Sequence, residues 1–166
     1  MLTLLAARSM GFKNIVITDV AEYNLKTALA NGADRAVNVA QESLGDAISE
    51  VFGGKKADAV FVTASAPNIL EQALENVKIL GTIIYLSMII KPLTFNTFPI
   101  VFKKINFIGS LNYTKKDFQM ALDMLAATPE EYAKLITHCF DFSNCQKAFE
   151  MIHNRSEGFV KVLLKV

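Results

Sequence analysis

Cysteine is scarce: there are two in 166 residues, Cys139 and Cys145. That excludes a disulfide framework or a four-cysteine metal site and makes a reducing, cytoplasmic setting the default. Net charge is almost absent as well, with 17 basic and 16 acidic side chains leaving +1. Such a balance sets up no general field for nucleic acid or an acidic membrane. No apolar run reaches the roughly 18 residues that a membrane-spanning helix needs. The most apolar stretch, Ile79 to Ile90, is too short and stops at Lys91 and Pro92. The opening Met-Leu-Thr-Leu-Leu-Ala-Ala has no basic residue ahead of its apolar part, unlike a secretory signal. Without such a signal, the sequons at Asn112-Tyr113-Thr114 and Asn154-Arg155-Ser156 read as chance matches. Disorder is excluded too, because it needs low hydrophobicity and high net charge.

What remains is a chain that is 52% hydrophobic, with a mean hydropathy of +0.31. Its length suits one domain of ordinary size or part of a larger one. Asn14 to Thr18, Ala59 to Val62, Thr82 to Leu86 and Ile105 to Ile108 are short, nearly all-apolar runs. Such runs suit parallel strands buried on both faces. Helical patterns lie between them. Leu2, Leu5 and Ala6 give the first ten residues a packing face. Leu25, Ala28 and Leu29 precede Asn31-Gly32, a helix C-cap signal. Leu44, Ile48, Val51 and Phe52 share a face that Gly53-Gly54 ends. Leu70, Ala73, Leu74 and Val77 follow the i, i+3, i+4, i+7 rule after Pro67, and Phe118, Ala121, Leu122 and Leu125 repeat it. Thr114 with Asp117, and Ser143 with Gln146, have capping-box spacing; Cys145, Ala148, Phe149 and Ile152 form the face behind the second. The order is helix and strand four times over, a less regular stretch, then strand, helix, helix, strand. This predicts a doubly wound, Rossmann-like α/β fold.

A dinucleotide fold normally opens with a strand and a G-x-G-x-x-G turn. Here a helix comes first, and glycines 11, 32, 45, 53, 54, 81, 109 and 158 nowhere have that spacing.

Read together, several segments carry a resemblance. Asn14-Ile-Val-Ile-Thr-Asp19 puts an acid at a strand end, and Asn31-Gly-Ala-Asp34 follows a helix. Leu80-Gly-Thr-Ile-Ile-Tyr-Leu-Ser87, Leu135-Ile-Thr-His138 and Val160-Lys-Val-Leu-Leu164 come later in the same order. The series resembles the C-terminal, cofactor-binding half of the zinc-type medium-chain alcohol and polyol dehydrogenases. Lys91-Pro-Leu-Thr-Phe95 with Gly109-Ser-Leu-Asn-Tyr-Thr114 is most similar to the butanediol and sorbitol dehydrogenase branch. The resemblance implies a truncated NAD-binding Rossmann domain over residues 1–127. It implies a segment over 128–166 that returns to a catalytic domain. That catalytic, zinc-holding domain, the first Rossmann strand and its glycine turn would lie upstream, with Met1 inside the first Rossmann helix.

Site residues follow from the same resemblance. Asp19 is placed to accept hydrogen bonds from the adenosine ribose and to repel a 2′-phosphate, which implies NAD rather than NADP; its alternative reading is a helix cap. Asn24 stands where relatives often carry Arg or Lys. Ser65 follows the Ala59–Val62 strand, with Ala66 where the family often has Gly. Leu86 and Ser87, then Leu111 and Asn112, leave the next two strands; the resemblance places all these loops against the nicotinamide half. Asn112 stands where related enzymes often place an Arg near the pyrophosphate, so a charge-assisted contact is lost. No catalytic residue is argued from spacing. His138, Cys139, Cys145 and His153 show no metal-ligand spacing, and Cys145 reads as packing.

Residues 76–116 hold six lysines and no acid, interleaved with Phe95, Phe98, Phe102 and Phe107. Stacking on single-stranded nucleic acid is one reading. A homodimer contact through residues 93–108, as the resemblance implies, is the stronger one; neither nucleic acid nor membrane is expected as a partner. Without the central first strand, the Asn14–Thr18 and Ala59–Val62 strands would each show an unpaired edge, and each buried unsatisfied group costs about 1–3 kcal/mol. The two strands could pair directly, another chain could fill the gap, or the fold could be loose. The expected function is the nucleotide-binding portion of an NAD-linked alcohol or polyol dehydrogenase, inactive alone. A non-catalytic dimerisation or scaffold module and a fragment of a zinc-independent quinone reductase stay open as alternatives.

Overall fold

The computed structural model describes residues 1–88, 92–155 and 157–166. Ile89, Ile90 and Lys91, which end the apolar stretch and begin the Lys91–Phe95 motif, lie outside the described residues, as does Ser156 of the second sequon. In chain order the elements are α1 (Leu2–Ser9), β1 (Val16–Asp19), α2 (Glu22–Ala30), β2 (Arg35–Asn38), α3 (Leu44–Val51), β3 (Ala57–Val62), α4 (Ile69–Asn76), β4 (Val77–Tyr85), α5 (Phe98–Phe102), β5 (Asn106–Gly109), α6 (Lys115–Ala127), α7 (Pro129–Ala133), β6 (Ile136–Asp141), α8 (Cys145–Asn154) and β7 (Lys161–Lys165). They divide into two compact units, Met1–Glu42 with Thr114–Val166, and Ser43–Tyr113.

In the first unit β1 and β2 run parallel, with Val16 opposite Arg35 and Asp19 opposite Asn38. Leu4 of α1, Ala28 of α2 and Ala33 form the core there, and Met1, Ile15, Ile17 and Ala36 pack against it. The packing face of α1 is therefore Leu4, Leu5 and Ala7, not Leu2, Leu5 and Ala6. Leu2 points outward at 61% exposure, because the strand side of α1 is set by Leu4. The C-cap expected at Asn31-Gly32 is present. The Ala33 N–H reaches the Ala28 carbonyl at 3.0 Å and the Gly32 N–H the Leu29 carbonyl at 3.1 Å, a Schellman pattern that needs the +92° φ of Gly32.

Arg8 ties this unit together. Its guanidinium donates to the Gly32 carbonyl at 2.6 and 2.9 Å and to the Phe12 carbonyl at 3.1 Å. It also donates to the Lys13 carbonyl and, at 2.5 Å, to the Asp34 carboxylate. The same Asp34 oxygen accepts the Ile15 N–H at 2.7 Å. Thus α1, the approach to β1 and the turn into β2 share one cation.

The rest of the first unit shows where pattern and packing part. β6 and β7 form a separate parallel pair. β6 has no counterpart in the expected order, since Ile-Thr-His-Cys-Phe-Asp mixes polar and apolar residues instead of running apolar. The Thr114–Asp117 capping box forms with both reciprocal bonds. The one at Ser143 does not: residues Phe142–Asn144 already make a 3₁₀ turn, Asn144 precedes α8, and no side chain caps it. A residue inside a helical turn cannot take the extended N-cap geometry. On α8, Ala148 and Met151 are buried while Phe149 is 64% exposed, and α6 buries no residue. Tyr23 lays its ring on Gly158, where an added Cβ would come within 2.2 Å of the ring.

The second unit is a parallel sheet in the order β3-β4-β5. Its core joins Val62, Ala73, Leu74, Val77, Ile83 and Ile105. Ser43 caps α3 by accepting the Asp46 N–H. Lys103 closes the end of α4, donating to the Leu74, Glu75 and Val77 carbonyls at 2.5, 3.3 and 3.1 Å; burial lowers its pKa below the ordinary value. β5 is exposed along its whole length, so the double burial expected of its apolar run is not what an edge strand receives. Among the described residues, β1 pairs only with β2 and β3 only with β4; each keeps one edge without a strand partner.

Leu80 takes φ +59° inside β4 and is 64% exposed. That conformation costs an L-residue roughly 1–2 kcal/mol, while glycine loses roughly 0.5–1 kcal/mol more in ordering. Leu80→Gly is expected to raise stability by up to about 1 kcal/mol in urea denaturation. Arg8→Met is expected to lower it by roughly 1–3 kcal/mol, since several carbonyls and one carboxylate lose a charged donor.

Candidate functional site

Open α/β sheets bind ligands outside the carboxyl ends of their strands, and the candidate residues fall at those ends in both units. In the first unit Asp19 closes β1 at the start of α2. Its Oδ1 accepts the Val20 and Ala21 N–H groups at 2.7 and 2.9 Å. Its Oδ2 accepts Nδ2 of Asn24 at 2.8 Å. The cap is thus not the helix N-cap itself, which is Ala21, but the turn just before it. A carboxylate has about four acceptor positions; three are filled, and one on Oδ2 is left for a ligand hydroxyl. The Met1 amino group lies close enough to feel this carboxylate, but burial is the larger influence and lowers its pKa below the usual 8.0.

Beside Asp19 stands a group that pattern reading did not single out. Asn38, 6% exposed, donates through Nδ2 to Glu22 at 3.3 Å and accepts the Ala40 N–H at 3.1 Å. Its own N–H goes to Glu42 at 3.1 Å, and Glu42 pairs with Arg35 at 2.7 Å. The only sequence signal was an acid in the first turn of α2; the link to Asn38 arises from strand pairing.

In the second unit, two of the three expected loops are bonded together. Ser65 and Ser87 share a hydroxyl–hydroxyl bond of 2.8 Å. The Val62 carbonyl, ending β3, accepts the Leu86 and Ser87 N–H groups at 2.9 and 3.1 Å. The Ser110 N–H reaches the Tyr85 carbonyl at 2.9 Å, and Leu111 beyond it is 73% exposed. Asn112 takes φ +59°, a conformation Asn tolerates better than most residues. Among the described residues, no group of three His, Cys, Asp or Glu side chains is placed to hold a metal ion. No described helix is long and apolar enough to cross a membrane.

Strand and helix alternation with carboxyl-end loops defines a Rossmann-like α/β protein. The family described as zinc-binding dehydrogenase matches residues 1–127, and the chain belongs to it. Sorbitol dehydrogenase 1 of Saccharomyces cerevisiae is 28% identical over 159 residues, covering 90% of this chain and 44% of that enzyme. L-threonine 3-dehydrogenase of Escherichia coli is 31% identical over 160 residues, covering 95% and 46%. An E. coli alcohol dehydrogenase solved with the cofactor NADH superposes with a TM-score of 0.86 at 26% identity, covering 98% of this chain and 48% of that one. The chain therefore spans about half the length of the curated relatives it matches.

Asp19→Ala should speed amide exchange at Val20 and Ala21 by about tenfold or more, because both lose a charged acceptor. Asn24→Ala should leave those two amides protected, since it bonds the other oxygen. Equal exchange in wild type and Asp19→Ala would refute the assignment.

Proposed function

We propose that this chain is the cofactor-binding, C-terminal portion of a zinc-dependent, NAD-linked alcohol or polyol dehydrogenase. The observation that carries the reading is Asp19, fixed at the carboxyl end of β1 by three hydrogen bonds with one acceptor position on Oδ2 remaining. That position suits one adenosine ribose hydroxyl. The loops bearing Ser65, Leu86, Ser87, Leu111 and Asn112 would offer backbone groups to the nicotinamide half. Bound NAD supplies the hydride acceptor for oxidation of a secondary alcohol. A catalytic domain would supply zinc and most substrate contacts.

The remaining assignments belong to the same proposal. Residues 1–127 form the nucleotide-binding part and 128–166 the segment that joins the catalytic domain. The setting is cytoplasmic. A second copy of the chain pairs through residues 93–108. For that last point the support is the open edge of β5 and the exposure of Phe98, Val101 and Phe102 at 64, 75 and 65%. Neither nucleic acid nor membrane is a partner.

A glycine turn at a helix N-terminus is the main pyrophosphate cradle of dinucleotide folds; the eight glycines here lack its spacing. The 166-residue chain is therefore expected to show no dehydrogenase activity and to bind NAD more weakly than micromolar. Calorimetric titration checks this, and a micromolar dissociation constant sinks it. Light scattering is expected to give twice the chain mass; a clean monomer argues against pairing through residues 93–108.

A further inference from the structure

We infer that Glu22 is a second specificity residue of the adenosine half-site, acting with Asp19 to exclude a 2′-phosphorylated nucleotide. The inference rests on the reading of Asp19 given above. Asp19 and Asn38 are direct partners across β1 and β2, so their Cα atoms lie on adjacent strands about 5 Å apart. Asn38 is buried and holds Glu22 at 3.3 Å, so the Glu22 carboxylate is kept over the same carboxyl end as Asp19.

The surrounding charges do not cancel this pair. Asn24 and Asn38 are neutral. Arg35 is engaged by Glu42 at 2.7 Å. The Met1 amino group is one charge beside two acids; burial, its largest influence, lowers its pKa from the usual 8.0, and Asp19 pulls it back up. Lys26, one turn further along α2, is exposed and makes no ion pair with either acid among the described residues. A ribose hydroxyl donates to a carboxylate, whereas a 2′-phosphate carries nearly two negative charges and repels each acid it approaches. With one acceptor position left on Asp19, the site takes a bare hydroxyl; the Asn24 and Asn38 amides each give one N–H to an acid and carry no charge to offset the two carboxylates against a phosphate.

An acid in the first turn also favours the helix dipole. That role would alter stability and leave nucleotide discrimination unchanged. The experiment is an NMR titration of the 166-residue chain with NAD and with NADP to about 10 mM, a range that reads weak binding, following the amides of residues 19–24. Wild type is expected to prefer NAD. Glu22→Gln keeps an oxygen for Asn38 and removes the charge; it is expected to narrow the NAD-to-NADP affinity ratio by roughly three- to tenfold with NAD affinity held. Glu22→Lys should narrow it further. Glu150→Gln on α8 makes the same charge change elsewhere in the unit and should leave the ratio alone. If NAD binds and the ratio stays at the wild-type value in both Glu22 variants, Glu22 has no such role while the Asp19 reading stands. If neither nucleotide moves any resonance from 19 to 24 in wild type, the Asp19 reading falls and this inference falls with it.

Discussion

The Arg8 guanidinium is the constraint on which the first unit depends. A short helix, a loop and a turn meet there. Leu4, Ala28 and Ala33 make a small core, and the bonds of Arg8 add a polar tie beside it. Arg8 places α1 against the Gly32–Asp34 turn, and Asp34 in turn holds the Ile15 N–H at 2.7 Å. Ile15 leads straight into β1, whose register against β2 puts Asp19 opposite Asn38. The position of the candidate ribose acceptor is thus set from the far end of its own strand.

Where local chemistry decides a feature, it could be read from the chain. Thr114 and Asp117 needed nothing but each other to form their box. The Asn31-Gly32 cap needed only a residue able to take positive φ. Ser143 had the same spacing as Thr114, yet the residues before α8 were already wound into a turn. The faces of α1 and α8 depended on which neighbour arrived, a long-range matter that periodicity cannot supply. The strand-end position of Asp19 was legible for the same local reason. Glu22 was not: its bond to Asn38 spans a helix and a strand, and no motif records it.

The two units handle exposed backbone differently. In the second, the sheet ends at β5, which pairs with β4 along one edge and whose residues are all exposed. In the first, two parallel strand pairs stand apart, and parallel strands usually need cover on both faces. Much of the high apolar content consequently remains outside the core, on α5, α6 and Phe149. An apolar fraction of 52% does not by itself mean a large interior.

The ring of Tyr23 resting on Gly158 has a genealogical consequence. No side chain fits at 158 while an aromatic ring occupies that place. A lineage that replaces the glycine must first shrink or turn the tyrosine, and one that keeps the tyrosine keeps the glycine. The two positions are remote in sequence, Tyr23 in the first turn of α2 and Gly158 between α8 and β7. In a set of descendants they should nonetheless change as a pair, leaving a record of contact between the start of α2 and the last turn of the chain.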